Sequence, residues 1–360
     1  MDTRQRAEKL LKSLQKEGLD GIFLQKDANI RYLSGFTNSD SYLLLAPEKR
    51  AIITDSRYTE QAEKECTGYE VVRWRNPYPS LAETLLTLSE KWGIKKLGFE
   101  GAVISYDLYT RLKEALEGIE LIPASGLVEE IRKIKDEDEI SLIRKACDIS
   151  DKSFEELLGY IKPGLSEKDI EREFQYILKK NGADEIAFDI IGISGVKTSL
   201  PHGIPSDKLI EAGDFVTFDF GAPVQGYKCD MTRTICVGKA TDDQKKIYDI
   251  VAKSQKRGLE AVRAGVPGKL VDKASRDVIE EAGYGRYFGT GLGHGVGLEI
   301  HELPFMSTSC EEYLAAGNVL TVEPGIYLPS WGGVRIEDTV LVKEEGCEIL
   351  THATKKLIEL

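Results

Sequence analysis

The chain has 360 residues, enough for about two domains by the rule of roughly 100 to 200 residues each, so a single small module is excluded. Its 48 Lys and Arg stand against 60 Asp and Glu, a formal charge of -12, and such a surface repels nucleic acid and anionic lipid. The first twenty or so residues are polar and charged, no segment approaches about 18 apolar residues, and the six cysteines form no C-x-x-C pair. The expectation is a soluble, cytoplasmic protein with reduced thiols, no nucleic-acid partner and no membrane partner.

Along the chain, Ala7, Leu10, Leu11 and Leu14 follow the i, i+3, i+4, i+7 spacing of an amphipathic helix, and DGIFLQ after Gly18 reads as a strand. SYLLLAPEKRAIITDSRY predicts a hairpin around Pro47 to Lys49. Helix then strand recurs twice more, in LAETLLTLSEKWG before KKLGFEG and in SYDLYTRLKEALEG before IELIPA. These alternations predict an α/β domain over residues 1–125. The charged helical passage IRKIKDEDEISLIRKACDISDKSFEELLGYI, with Ile140, Ile143, Cys147, Phe154 and Leu157 in its apolar stripe, then opens a second domain over 126–360.

The second domain carries an internal duplication. KPGLSEKDIEREFQYILKKNG (162–182) aligns without a gap on RAGVPGKLVDKASRDVIEEAG (263–283), each a loop opening a helix of about four turns, the first capped by Ser166 with Asp169 three residues on. GISGVKTSLPHGIP (192–205) aligns on GLGHGVGLEIHELP (291–304), which sets His202 on His301. AGDFVTFDFG (212–221) aligns on AGNVLTVEPG (316–325), which sets Asp219 on Glu323. Apolar periodicity aligns any two helix–strand units, but it does not align histidine with histidine and acid with acid.

DFVTFDFGAPVQGYKCDMTRTICVG reads as a hairpin with its tip at Val224–Gln225, which sets Asp219 opposite Asp230. Directly opposed Cβ atoms lie roughly 4.5 to 5.5 Å apart, and like charges at that distance destabilise a sheet, the more so among the buried neighbours Val216, Phe218, Phe220 and Ile235. VLTVEPGIYLPSWGGVRIEDTVLV folds similarly about Ser330, with Glu323 opposite Glu337 and Arg335 on the same face as Glu337. One arginine cannot neutralise four carboxylates, so a divalent metal, and on this count two, is expected. Oxygen-rich ligation with one or two imidazoles suits Mn, Co or Fe better than a structural zinc site.

GLGHGVGLEIHELP matches neither G-x-G-x-x-G nor the phosphate-binding G-x-x-x-x-G-K-[ST], and HELPF lacks the second histidine of H-E-x-x-H. Its alternate glycines allow another chain or a substrate to approach the backbone. His294 has no counterpart in the first half, where the alignment reaches Gly195, and is read as the metal ligand that breaks the symmetry. His202 and His301 are read as substrate-facing groups that hydrogen-bond the reacting carbonyl or its oxyanion.

These residues resemble the pita-bread metallopeptidases, specifically the Xaa-Pro peptidases, aminopeptidase P and prolidase. DFG at Asp219, DMTR at Asp230, GHGVG at His294, VEPG at Glu323 and RIED at Glu337 look like the family's five metal ligands in order; PHG at His202 and HELP at His301 look like its two catalytic histidines, and Arg335 like its supporting arginine. The resemblance covers essentially the whole chain. It implies an α/β N-terminal domain of the creatinase/prolidase type, followed by an α+β pita-bread catalytic domain with internal pseudo-twofold duplication. It further implies two divalent ions (Mn or Co, with Fe or Zn as alternatives), a proline-containing peptide substrate and a homodimer. In the implied mechanism a metal-bridging hydroxide attacks the bond between an N-terminal residue and proline, Glu323 shuttles the proton and the histidines support the oxyanion and leaving nitrogen.

One departure bears on the substrate. Prolidases tend to carry an arginine four residues after the second catalytic histidine, where it can hold the free carboxylate of a dipeptide, and this chain has Phe305 there. The expectation is therefore an Xaa-Pro aminopeptidase acting on longer peptides, with the Xaa-Pro dipeptidase (prolidase) as the alternative. A non-catalytic protein on the same fold would show lost ligands, and none is lost.

Overall fold

Leu43, Leu44 and Leu45 are buried in succession, as is expected of a strand covered on both faces rather than one. The computed structural model describes residues 2–289 and 291–360, and it divides into a unit ending at Arg132 and a unit running from Lys133 to Leu360. The first unit is a mixed six-stranded sheet of β1 (Gly21–Leu24), β2 (Tyr42–Ala46), β3 (Lys49–Thr54), β4 (Glu70–Arg73), β5 (Lys96–Phe99) and β6 (Glu120–Pro123), in the order β4-β3-β2-β1-β5-β6. Its helices are α1 (Thr3–Lys16), α2 (Asp27–Ser34), α3 (Thr59–Glu65), α4 (Leu81–Trp92), α5 (Tyr106–Ala115) and α6 (Leu127–Arg132). The predicted hairpin is β2 and β3, turning at Pro47 and Glu48 between the paired Ala46 and Lys49.

In open α/β sheets the crevice beyond the carboxyl ends of parallel strands is the usual ligand site. Beyond the parallel pair β1 and β5 that position is taken by protein. Glu100 accepts from the Gln25 and Lys26 amides at 2.6 and 2.9 Å and from Asn29 Nδ2, while Asn29 Oδ1 accepts from Arg132 Nη1 at 2.7 Å. This network fills the position with protein side chains.

The second unit repeats one arrangement. Helices α7 (Glu137–Leu158) and α8 (Glu167–Lys180) precede a sheet in which β8 (Phe215–Phe220) lies between β7 (Ile191–Ser194) and β11 (Met231–Cys236), with the short β9 (Pro223–Val224) and β10 (Tyr227–Lys228) at the hairpin end. Helices α9 (Asp242–Ala261) and α10 (Gly268–Glu281) precede a five-stranded sheet of β12 (Gly293–Gly295), β13 (Glu302–Met306), β14 (Val319–Val322), β17 (Asp338–Val342) and β18 (Cys347–Ile349). There β14 lies between β12 and β17, as β8 does between β7 and β11. A two-stranded ladder of β15 (Gly325–Leu328) and β16 (Gly332–Arg335) extends it. The aligned helices α8 and α10 both span 14 residues, and Ser166 caps α8 in a reciprocal box with Asp169. This is the α+β fold with internal duplication that the sequence implies.

Each half has its own core. Phe154 and Phe174 of the helices pack on Phe218 and Phe220 of β8, with Phe174 and Phe220 centroids 4.3 Å apart. Val251, Val271 and Ile279 pack with Leu320 and Val322 of β14. A strand whose even positions enter the core must turn its odd positions the other way, and this places Thr217 and Asp219 of β8, and Thr321 of β14, on the opposite face. Among the described residues no helix is long and apolar enough to cross a membrane.

The register of the first hairpin differs from expectation. Asp219 pairs with Thr232, not Asp230, because the turn falls at Gln225 and Gly226, whose φ values of 46° and 79° are those of a two-residue primed turn with glycine second. Asp230, two residues from Thr232, still shares the face, on the diagonal. The second hairpin turns about Ser330 at φ 64° as expected, and the ladders Val322↔Asp338 and Gly325↔Arg335 keep one register, so Glu323 and Glu337 face each other between them.

Candidate active site

The faces turned away from the two cores meet around a cavity of about 390 Å³. Its wall includes Asp219, Asp230, His294, Glu323 and Arg335, with His202 and His301 at the rim and Phe188, Ile191, Ile300 and Phe305 supplying apolar surface. Glu337 lies just behind, 1 % exposed. The structure thus brings together all eight residues singled out in the sequence.

Two threonines fix the acids. Thr232 Oγ1 accepts from Arg335 Nε at 2.9 Å and donates to Glu337 Oε2 at 2.6 Å. Thr321 Oγ1 accepts from the His294 amide at 3.1 Å and donates to Glu323 Oε1 at 2.9 Å. Each hydroxyl uses its one proton on a carboxylate and leaves its lone pairs to a donor, which aims the acid with no charge of its own. Neither threonine was singled out in the sequence. Their signal is weak: each merely occupies a site-facing position in a strand.

Arg335 spreads its guanidinium over the site, donating from Nη2 to Asp219 Oδ2 at 2.7 Å and from Nη1 to Tyr327 Oη at 2.9 Å and the Pro201 carbonyl at 3.2 Å. The last bond ties it to the segment that carries His202. His294 Nδ1 lies 3.1 Å from the Gly295 carbonyl, which directs Nε2 toward Glu323 Oε1 at 3.2 Å and Asp230 Oδ2 at 3.6 Å. The His294 and His301 rings stand edge to face with centroids 4.4 Å apart.

The alternate glycines of GLGHGVG make room for neighbouring protein, and two of them, Gly291 and Gly293, also line the cavity. A Cβ on Gly293 would fall 2.2 Å from the Thr321 carbonyl oxygen, and one on Gly295 2.3 Å from that of Leu303. The glycines let β12 lie close between β13 and β14, which draws His294 in toward the acids.

Three carboxylate oxygens are buried without a partner among the described residues: Asp219 Oδ1, Asp230 Oδ1 and Glu337 Oε1. Buried acceptors of this kind are costly, and three converging in one place form a site that a bound cation would satisfy. Asp230, His294 and Glu337 each offer a ligand atom, all within 4.8 Å of one another. Burial, then the charges of Glu337, Asp219 and Glu323, pushes the Asp230 carboxyl well above its ordinary range. Burial, then Glu323 and Asp219, does the same to Glu337. Burial opposes ionisation of Glu323 also, but its bond to His294 and the nearby Arg335 outweigh it and hold that carboxyl low. Protein alone therefore does not neutralise this group of acids. The oxygen and imidazole donors fit a divalent ion.

Residues 141–344 match metallopeptidase family M24, and residues 6–134 match the creatinase/prolidase N-terminal domain. The chain belongs to metallopeptidase family M24. This M24 chain is 39 % identical to an Xaa-Pro dipeptidase of Pyrococcus furiosus over 99 % of its own length and 100 % of the relative's. Among solved structures it is similar to an Xaa-Pro dipeptidase from Bacillus anthracis, with TM-score 0.96 and 43 % identity over 100 % of both chains. It is also similar to an X-Pro aminopeptidase from Thermotoga maritima, with TM-score 0.92 and 39 % identity over 98 % of this chain and 99 % of that one. As in its family, the catalytic unit is a metal-dependent peptidase on the pita-bread fold.

Proposed function

We propose that the chain is an Xaa-Pro dipeptidase that uses two divalent ions, Mn or Co, held by Asp219, Asp230, His294, Glu323 and Glu337. The observation that carries the site assignment is the convergence, beside one cavity, of His294 with three carboxylate oxygens that have no partner among the described residues. When bound, such ions lower the pKa of water and polarise a carbonyl.

The chain's own residues do the rest. Glu323, kept ionised by His294 and Arg335, is the carboxylate able to accept a proton at the cavity wall. Partial burial and the neighbouring His294 lower the His301 imidazole from its usual range, which favours the uncharged form, a donor of one N–H. His202, exposed on the segment tied to Arg335, lines the cavity and can donate to the carbonyl oxygen or the leaving nitrogen. Phe188 and Ile191 offer the apolar surface that a proline ring would cover.

The relatives' names favour a dipeptidase; Phe305 favours a second reading, an aminopeptidase acting on Xaa-Pro-Yaa. Phe305 is 45 % exposed, and the one arginine among the lining residues, Arg335, is committed to Asp219, so no described lining residue is a free cation for a dipeptide carboxylate. Rates on Xaa-Pro and Xaa-Pro-Yaa at equal concentration separate the two. A dipeptide preference supports the proposal, and a tripeptide preference replaces it with the second reading.

A further inference from the structure

His301 ends the segment 296–301 that joins β12 to β13, and it is exposed. Such a position does not by itself hold an imidazole still. Glu302, the next residue, turns the other way: its side chain is 5 % exposed and Lys135 Nζ, 1 % exposed, lies 2.7 Å from Oε1. The same oxygen lies so close to the joining segment that a Cβ on Gly297 would fall 2.2 Å from it, and the Glu299 amide points at Oε2 from 3.5 Å. The carboxylate therefore sits inside the curve of the segment that presents His301.

Lys135 is itself fixed. Its amide donates to the Gly317 carbonyl at 2.9 Å, and the Lys133 carbonyl accepts from Asn318 Nδ2 at 3.0 Å, just ahead of β14. The ammonium thus links the His301 segment to the chain that leads into β14, the strand carrying Thr321. Ile300, His301 and Phe305 line the cavity and Glu302 does not, so the pair acts without touching substrate. Two charges taken this far out of water carry a desolvation cost that only close pairing offsets, and their geometric definition is what they return.

We infer that Lys135 and Glu302 are positioning residues whose buried ion pair braces segment 296–301 and sets where the His301 imidazole stands over the cavity. The inference rests on the reading of His301 as a substrate-facing group.

The test is a cycle of wild type, Glu302→Gln, His301→Ala and the double variant, with kcat and KM measured separately on an Xaa-Pro dipeptide and metal in excess. Glu302→Gln is expected to lower kcat about 10- to 100-fold, as misplacement of a catalytic group does, with KM changed less than about threefold. In the His301→Ala background the same substitution should change kcat less than about twofold. An undiminished loss in that background overturns the inference. Should Glu302→Gln fold poorly, Lys135→Met/Glu302→Gln removes both charges of the pair together and takes its place in the cycle. Failure of the functional reading shows differently, as a wild type that cleaves no Xaa-Pro peptide. In that case the His301 ring signals of the metal-free protein, assigned by their loss in His301→Ala, still decide: they shift in Glu302→Gln if the brace exists, and unmoved signals overturn it.

Discussion

Arg335 holds Asp219 by one oxygen only, Nη2 to Oδ2 at 2.7 Å, while Oδ1 of the same carboxylate is buried with no partner among the described residues. The pair is an orienting contact that leaves half of the acid for something else. Lysine keeps the charge but cannot reach Asp219, Thr232, Tyr327 and Pro201 together, because an ammonium lacks the planar fork. Arg335→Lys is expected to lower kcat/KM and metal affinity about 10- to 100-fold with the fold intact, as read by metal titration and circular dichroism.

The acids predict a pH dependence for the metal-stripped protein. Asp230 and Glu337 have raised folded pKa values, so the folded state binds more protons than the unfolded one and stability falls as pH rises through the carboxylate range and beyond. The His294 pKa is raised too, its bond to Glu323 outweighing burial, and it acts in the same direction. Glu323, held low, opposes them only at acid pH, where its contribution is lost as pH falls. The thermal midpoint of the stripped protein should therefore drop between about pH 5 and about pH 8, and added Mn should remove most of that drop.

Glu337→Gln removes one of the crowded charges and keeps an acceptor for Thr232. The stripped variant is expected to be as stable as the stripped wild type or more so, by about 1 to 3 kcal/mol at neutral pH, because a buried repulsion is gone. With metal, turnover should fall at least about a hundredfold. A gain in metal-free stability together with a loss of activity is the signature of an acid kept for a ligand; denaturant melts and initial rates on the same preparations measure both.

Gly293→Ala tests the close approach of β12 to β14. Its Cβ would meet the Thr321 carbonyl at 2.2 Å and Thr321 Oγ1 at 2.7 Å, so the strands must separate. Overpacking of this kind costs about 1 to 3 kcal/mol, and the shift also withdraws the threonine that aims Glu323. Lower stability and weaker metal binding should appear together, whereas Gly118→Ala, where no described residue lies within 4 Å of the added carbon but φ is 81°, should affect stability alone.

How much of this was legible in the sequence differs from residue to residue. The positions of Asp219, Asp230, Glu323 and Glu337 follow from strand alternation, which survives a shift of the turn: the tip moved from Val224–Gln225 to Gln225–Gly226, yet Asp230 kept its face. Thr232 and Thr321 carry no sequence signal because a strand threonine is ordinary, and the bridging of a donor and an acid by each arises only in the folded chain. The glycines around His294 signal a close approach but not its partner, because a sequence does not reveal whether a strand or a substrate comes near them. Lys135 and Glu302 lie 167 positions apart, and nothing local announces their pairing. Helices such as α2, with no side-chain cap, also left no local mark.

The central claim is that these acids and His294 hold the metal that cleaves an Xaa-Pro bond. The most direct measurement adds Mn stepwise to metal-stripped protein while free proline released from an Xaa-Pro dipeptide is followed. The account predicts no release without metal, a rise that saturates near two ions per chain, and no such rise in Glu337→Gln. Release that persists after exhaustive chelation, or that saturates normally in the variant, would contradict it.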